Sequence, residues 1–514
     1  MLFNSQIFIF IFLPLVLIVY YGLHKLGMHT LAKVSLIAAS FIFYGYNHPV
    51  YLLILIFSIL FNFMIYKILS RASKMCQVFC EDLTCSVGPS TQSNSNGPMF
   101  KKGRRLILIA ALLVNLGIIF YFKYFDFFIE NSNRFLHTDW VTRNILLPLG
   151  ISFFTFQQVS FVVDSYRGEA KDYDFTDYCL FVSFFPQLVA GPIVLHSQLI
   201  PQFRDESRFK FNVDRFGEGV RYFVIGLFKK TMMADAWGRV SDLGYRFETH
   251  WDTPSAALII LAYTLQIYLD FSGYSDMAIG LGKMLGFELP VNFDMPYKAT
   301  DIGMFWKRWH MTMTGFFTKY VYIPLGGSRK GKVRTYINTL IVFAVSGLWH
   351  GAGWSFVEWG LLHGIAVCFH RAFGKRLKRV PKVITGLITF VFVNFAWVFF
   401  RSEGTYQAGM IFTYLLKGGV TDTFSLLTQA FAGNNLSLLL KNIPGFDAFI
   451  PMYNQVCMII MMIVTLIMVW IFPSSHDISV KKDIRGWEGP VFALMAVLSI
   501  MTFTNVNTFI YFNF

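Results

Sequence analysis

Two histidines forty positions apart, His310 and His350, are the residues in this chain best suited to chemistry. An imidazole titrates near neutral pH, so it can take a proton from a hydroxyl and return it within one cycle. His350 closes the run Gly347-Leu348-Trp349-His350-Gly351-Ala352, where glycines at 347, 351 and 353 allow a backbone or a ligand to come close. A histidine among tryptophan and glycine at membrane depth either packs on a hydrogen-bond partner or serves a function. The functional reading is a general base. His310 ends Phe305-Trp306-Lys307-Arg308-Trp309-His310. Tryptophan with lysine and arginine suits a belt at headgroup level, and it suits a contact to a charged ligand almost as well.

Asp270 and Asp276 flank Phe-Ser-Gly-Tyr-Ser inside an apolar stretch. Acids at membrane depth are functional by default. Here the expected role is a supporting one, orienting the histidines or capping broken helices. Six positions is less than two helical turns, so a straight helix turns the two acids to different faces. Gly273 stands between them as a point where the helix can break. Lys307, Arg308, Arg329, Lys330, Lys332 and Arg334 form a cationic set. Positive-inside topology explains them without a ligand, and a phosphate-rich cytosolic donor such as coenzyme A would use the same charges. There is no G-x-x-x-x-G-K-[ST] loop and no G-x-S-x-G elbow, which disfavours ATP hydrolysis and hydrolase-type nucleophiles. Tyr511, in the terminal Phe-Ile-Tyr-Phe-Asn-Phe, reads as an interfacial anchor or as a phenol able to accept an acyl group. Cys76, Cys80 and Cys85 share one polar loop without a paired zinc-ligand pattern, so they are read as reduced thiols and no metal site is expected.

The elements that position these residues follow from composition. Of 514 residues 55% are hydrophobic and 14% charged, and 58 are Phe. Soluble domains carry about 25% charged residues, and several apolar runs here approach the roughly 20 residues that cross a bilayer. The chain is therefore expected to be an all-α polytopic membrane protein, with about eleven to thirteen spans, some of them broken or re-entrant. The formal charge of +14 sits in short loops, which points to positive-inside topology and away from nucleic acid. The run 7–23 lacks a basic leader and a cleavage site and reads as a retained first span. Residues 71–105, basic at both ends and rich in Ser, Asn, Gly and Pro from 88 to 98, read as a flexible cytoplasmic loop. Counting back through three spans puts the N-terminus outside. Pro148, Gly150, Pro186, Gly191 and Pro192 break the runs 146–163 and 181–194, suggesting half-helices around a pocket. Residues 405–442 read as an outer interfacial segment, and 509–514 as an extracytoplasmic C-terminal motif. No internal repeat is visible, which argues against an inverted-repeat transporter.

These residues occur in a familiar order. The pieces are Leu147-Pro148-Leu149-Gly150-Ile151-Ser152-Phe153-Phe154, Val163-Asp164-Ser165-Tyr166-Arg167-Gly168, Phe185-Pro186-Gln187-Leu188-Val189-Ala190-Gly191-Pro192, and the stretch 268–280. The runs 305–310, 320–327 and 347–352 complete the series. As a series they resemble the membrane-bound O-acyltransferase family, in its bacterial branch typified by the membrane subunit of alginate O-acetylation. The likeness runs to about Arg401.

The resemblance implies a ring of helices around a thinned membrane centre crossed by a tunnel. It implies that His350 matches the catalytic residue and His310 its second polar partner. It also implies acetyl-CoA as cytosolic donor with no bound cofactor, an extracytoplasmic polysaccharide as acceptor, and an esterase-like (SGNH-type) acetyltransferase as partner. The setting would be the bacterial inner membrane, and the C-terminal motif would make Tyr511 an acyl relay. Two features depart from the family pattern: Thr318-Lys319 stands where relatives carry Arg-Asp, and the loop 74–101 is longer than usual. D-Alanyl transfer to teichoic acid and a non-enzymatic transporter or scaffold are the alternatives.

Overall fold

A computed structural model describes residues 1–86, 98–189, 191–246, 250–431, 450–481 and 486–502. The described residues are helical, turn or irregular, with no strand among them. Six of their helical runs are long and apolar enough to cross a membrane: Phe8–Lys25, Pro49–Ala72, Lys102–Leu136, Thr253–Met284, Lys382–Arg401 and Met452–Trp470. His29–Gly45 and Glu488–Met501 are shorter apolar helices. The protein is thus an all-α polytopic membrane protein. Six is fewer than the eleven to thirteen spans expected, because many remaining helices are too short or too polar to cross alone. The helix Pro49–Ser86 continues through the first part of the segment read as a loop, and the next helix starts at Pro98. Between them, 87–97 lie outside the described residues, as does the structure of 509–514.

The chain divides into two compact units. The first holds Ile11–Asn212 with Leu285–Leu289 and Met1. Its middle is the region of broken helices expected from the prolines: Ile151–Arg167, Phe175–Ser183, the single turn Phe185–Leu188, and His196–Arg204. Gly150 starts the first of these at φ +72°, where an added Cβ would lie 2.9 Å from the Leu188 carbonyl oxygen. Only glycine fits both the conformation and the space. Buried polar groups tie the broken pieces together. Asp177 pairs with Lys33 at 2.7 Å and with Arg204 at 2.8 Å. His196 joins Asp164 at 3.1 Å to the Tyr173 hydroxyl at 2.9 Å. These buried charged and polar groups are paired with one another, as burial at low dielectric favours.

The second unit holds Leu2–Phe10, Val213–Met284 and the described residues of Pro290–Phe514. It is built on one helix, Thr253–Met284. Asp252 caps that helix by accepting from the Ser255 N–H at 2.9 Å, and Pro254 sits in its first turn. It is the least apolar of the six candidate spans, yet 89% of its most apolar stretch is buried, against 17–39% in the other five. The others turn apolar faces outward as lipid contact would require, whereas this helix is enclosed by protein and can carry polar residues.

Neighbouring helix Val213–Phe228 crosses it backbone to backbone. A Cβ on Gly219 would lie 2.7 Å from the Gly280 carbonyl oxygen, and one on Gly273 would lie 2.7 Å from that of Gly226. The two glycine pairs are seven residues apart on each helix, two turns, so both contacts fall on one seam. This corrects the expectation for Gly273. The helix runs unbroken past it, and the missing side chain serves close packing rather than a break.

At the end of Val213–Phe228 the chain widens into a π-helical turn, Lys229–Ala234. This turn directs two consecutive lysines into the interior. Lys229 pairs with Asp276 at 2.8 Å and reaches the Ser475 hydroxyl at 2.6 Å. Lys230 pairs with Asp270 at 2.8 Å and with Asp235 at 2.7 Å.

Candidate active site

His310 stands between two seven-residue helices, Ile302–Arg308 and Met311–Phe317. Asp301 starts the first by accepting from the Met304 N–H at 2.8 Å. His310 then takes a left-handed backbone, φ +44°, which costs a residue with a Cβ about 1–2 kcal/mol. That conformation ends one helix, begins the other and turns the imidazole inward, where it is fully buried. Strain of this kind persists where the surroundings over-determine it. Here they do: the Met311 N–H bonds the Asn292 carbonyl at 2.9 Å and the Asp294 N–H bonds the Arg308 carbonyl at 2.9 Å. The ring meets Phe271 of the central helix edge to face at 4.7 Å between centroids.

His350 is the last residue of Lys332–His350. It is 2% exposed and sits in an aromatic box, with ring centroids 5.1 Å from Trp359, 5.2 Å from Phe400 and 4.8 Å from Trp349. The next helix, Trp354–Leu377, is held against its own by glycines. A Cβ on Gly347 would overlap the Phe356 carbonyl oxygen, and one on Gly360 would overlap that of Phe343. A Cβ on Gly351 would overlap the Phe356 ring. A Cβ on Gly353 would meet only ordinary contact, at 3.5 Å.

The two imidazoles come together with their centroids 6.3 Å apart and planes inclined by 55°. Two imidazoles brought this near each other are suited to take a proton from a hydroxyl that reaches them. The other residues singled out from the sequence lie elsewhere. Asp270 and Asp276 are ion-paired with Lys230 and Lys229. Lys307, Arg329, Lys330, Lys332 and Arg334 are exposed, and Arg308 is half-buried 3.9 Å from Asp294. Tyr511 lies outside the described residues, and Cys76, Cys80 and Cys85 fall where side chains are not described.

Two further residues belong to this cluster and escaped sequence reasoning. Asn292 accepts from His310 Nδ1 at 3.1 Å. His363, fully buried, accepts at Nδ1 from the Trp306 indole at 3.3 Å, stacks on Phe305 and meets Trp359 edge to face. A signal for His363 existed: it lies four positions after Trp359, on the same face of one helix. Asn292 sits in an irregular loop, where no periodicity marks it.

The model for the MBOAT, membrane-bound O-acyltransferase, family matches residues 104–408. A peptidoglycan O-acetyltransferase of Helicobacter pylori is 40% identical over 438 residues, covering 79% of this chain and 78% of its own. A probable alginate O-acetylase of Pseudomonas aeruginosa is 34% identical over 465 residues, 88% of this chain and 83% of its own. A teichoic acid D-alanyltransferase of Bacillus subtilis is 25% identical over 277 residues, 51% of this chain and 70% of its own.

Proposed function

The chain belongs to the membrane-bound O-acyltransferase family and is an O-acyltransferase, and on that premise we propose that it moves an acetyl group from cytosolic acetyl-CoA across the membrane to an extracytoplasmic polysaccharide. The observation that carries this is the approach of His310 and His350 to 6.3 Å inside a buried aromatic setting, from segments forty positions apart. His350 acts as base on the acceptor hydroxyl, directly or through His310. The O–H bond breaks, oxygen attacks the thioester carbon, the C–S bond breaks, and the thiolate leaves with the proton. Asp270 and Asp276 support the helix behind the site through their lysines.

Acetyl-CoA docks on the cytoplasmic side by Lys307, Arg308, Arg329, Lys330, Lys332 and Arg334, whose charges suit its phosphates. The N- and C-termini lie outside by the positive-inside count. Tyr511 is the first acceptor, and an esterase-like extracytoplasmic acetyltransferase passes the group to the glycan. The Helicobacter pylori and Pseudomonas aeruginosa relatives are named for O-acetylation of peptidoglycan and of alginate, which supports a wall or exopolysaccharide acceptor in the bacterial inner membrane.

The second reading is D-alanyl transfer from a carrier protein, which the D-alanyltransferase similarity favours over half the chain. Labelled acetyl-CoA set against a charged carrier separates the two donors. His350→Ala is expected to abolish polysaccharide ester content while membrane insertion is unchanged. Wild-type ester levels in that variant would overturn the mechanism.

A further inference from the structure

We infer that Asn292 is a positioning residue that fixes the tautomer of His310, so that the ring presents a lone pair, not a proton, to whatever enters the site. The Asn292 amide oxygen faces three groups: the Thr312 N–H at 3.3 Å, the Thr312 hydroxyl at 2.9 Å and His310 Nδ1 at 3.1 Å. A backbone N–H can only donate, so the atom it meets is the oxygen, and this sets the orientation of the amide. An oxygen that already accepts from the backbone cannot donate to the ring. The bond to His310 therefore requires a proton on Nδ1. A neutral imidazole carries one proton, so Nε2 is bare.

His310 Nε2 is buried and has no hydrogen-bond partner among the described residues. Native interiors rarely leave such an atom unsatisfied unless a ligand or water completes it. The chemistry of the missing partner follows. A bare nitrogen accepts, so it takes a hydroxyl O–H and repels a thioester carbonyl oxygen, which has no proton to give. His310 thus meets the acceptor of the acyl group and not the donor.

In the reaction proposed above, on which this assignment of the ligand rests, the hydroxyl proton goes first to His310 Nε2. His350 acts behind it. The Asn292 oxygen accepts from Nδ1 throughout, and the proton that His310 Nε2 passes to His350 leaves with the thiolate when the C–S bond breaks.

The full-length protein, labelled with ¹⁵N-histidine in lipid bilayers, tests the tautomer independently of turnover, with His310→Gln identifying the signal. A protonated Nδ1 and a bare Nε2 are expected, and Asn292→Ala should erase that preference. A protonated Nε2 in the wild type would overturn the inference. In acetyl-transfer assays Asn292→Ala should lose about 10²–10⁴-fold, the range for a general base. Asn292→Asp keeps an acceptor at the same place and should restore much of the rate. Its carboxylate favours the imidazolium, so the acid limb of the pH profile should rise by about 1–3 units. An Asn292→Asp variant as inactive as Asn292→Ala, or with an unmoved acid limb, refutes the positioning role. If the tautomer is as stated but neither His310→Gln nor Asn292→Ala slows transfer, it is the acyl-transfer role of His310 that fails.

Discussion

Gly347→Ala tests how the fold sets the distance between the two histidines. The substitution adds one methyl group three residues before His350, in a helix interior where alanine is otherwise preferred. The new carbon would overlap the Phe356 carbonyl oxygen and stand 3.0 Å from its carbonyl carbon and 3.4 Å from the Gly360 Cα. Carbon contacts relax at about 3.5–4.0 Å, and all three neighbours are backbone, so Lys332–His350 and Trp354–Leu377 must part by roughly 1 Å. Overpacking of this kind costs about 1–3 kcal/mol. The displacement moves His350 relative to Trp359 and so relative to His310, and a 1 Å misplacement can cost about 10²-fold in rate.

The assay is acetyl transfer from labelled acetyl-CoA by membranes normalised for protein, with thermal stability of the solubilised protein measured alongside. Gly353→Ala is the control. Its new methyl meets ordinary contact at 3.5 Å and its backbone is extended, so it should keep near wild-type activity. If Gly347→Ala is as active as Gly353→Ala, backbone contact between these helices does not set the site.

Further outcomes are expected. Lys230→Met leaves Asp235 and Asp270 buried without their shared cation, and breaking such a pair costs about 3–5 kcal/mol; Lys230→Met combined with Asp235→Asn and Asp270→Asn should recover part of that loss in a thermal melt. Burial raises the Asp252 carboxyl, but hydrogen bonds from Ser255, Thr421 and Thr423 outweigh it and hold it at about 2, below the ordinary 3.8. The folded value is the lower one, so its contribution to stability is complete above pH 3.8 and is lost as pH falls through 2. Asp252→Asn should flatten the melting temperature in that window, and an unchanged acid slope would refute the assignment. Tyr511→Phe removes one hydroxyl; it should stop acetyl transfer to the glycan, and an unchanged ester content rules out the relay.

The apolar run at 7–23 reappears as Phe8–Lys25, because spanning a bilayer needs only length and apolarity, both local properties. The broken helices around 146–194 were also legible, since Pro and Gly act on their own backbone. Gly273 was misread for the opposite reason. Whether a helical glycine breaks its helix or admits a neighbour depends on what packs there, and Gly226 lies forty-seven positions away. The lysine partners of Asp270 and Asp276 were hidden in the same way, since the turn that turns Lys229 and Lys230 inward has no mark in composition.

The sequence alone determined the solvent this protein folds in, the type of its elements and the two imidazoles worth watching. Each of these is written in a window of twenty residues or in the chemistry of one side chain. The tertiary structure decided which groups meet. It carried His310 to His350, put the Asn292 oxygen on Nδ1, and enclosed the least apolar candidate span at the centre of its unit. Those outcomes depend on the path of the chain between distant positions, where burial leaves each polar group only the partner that packing brings to it.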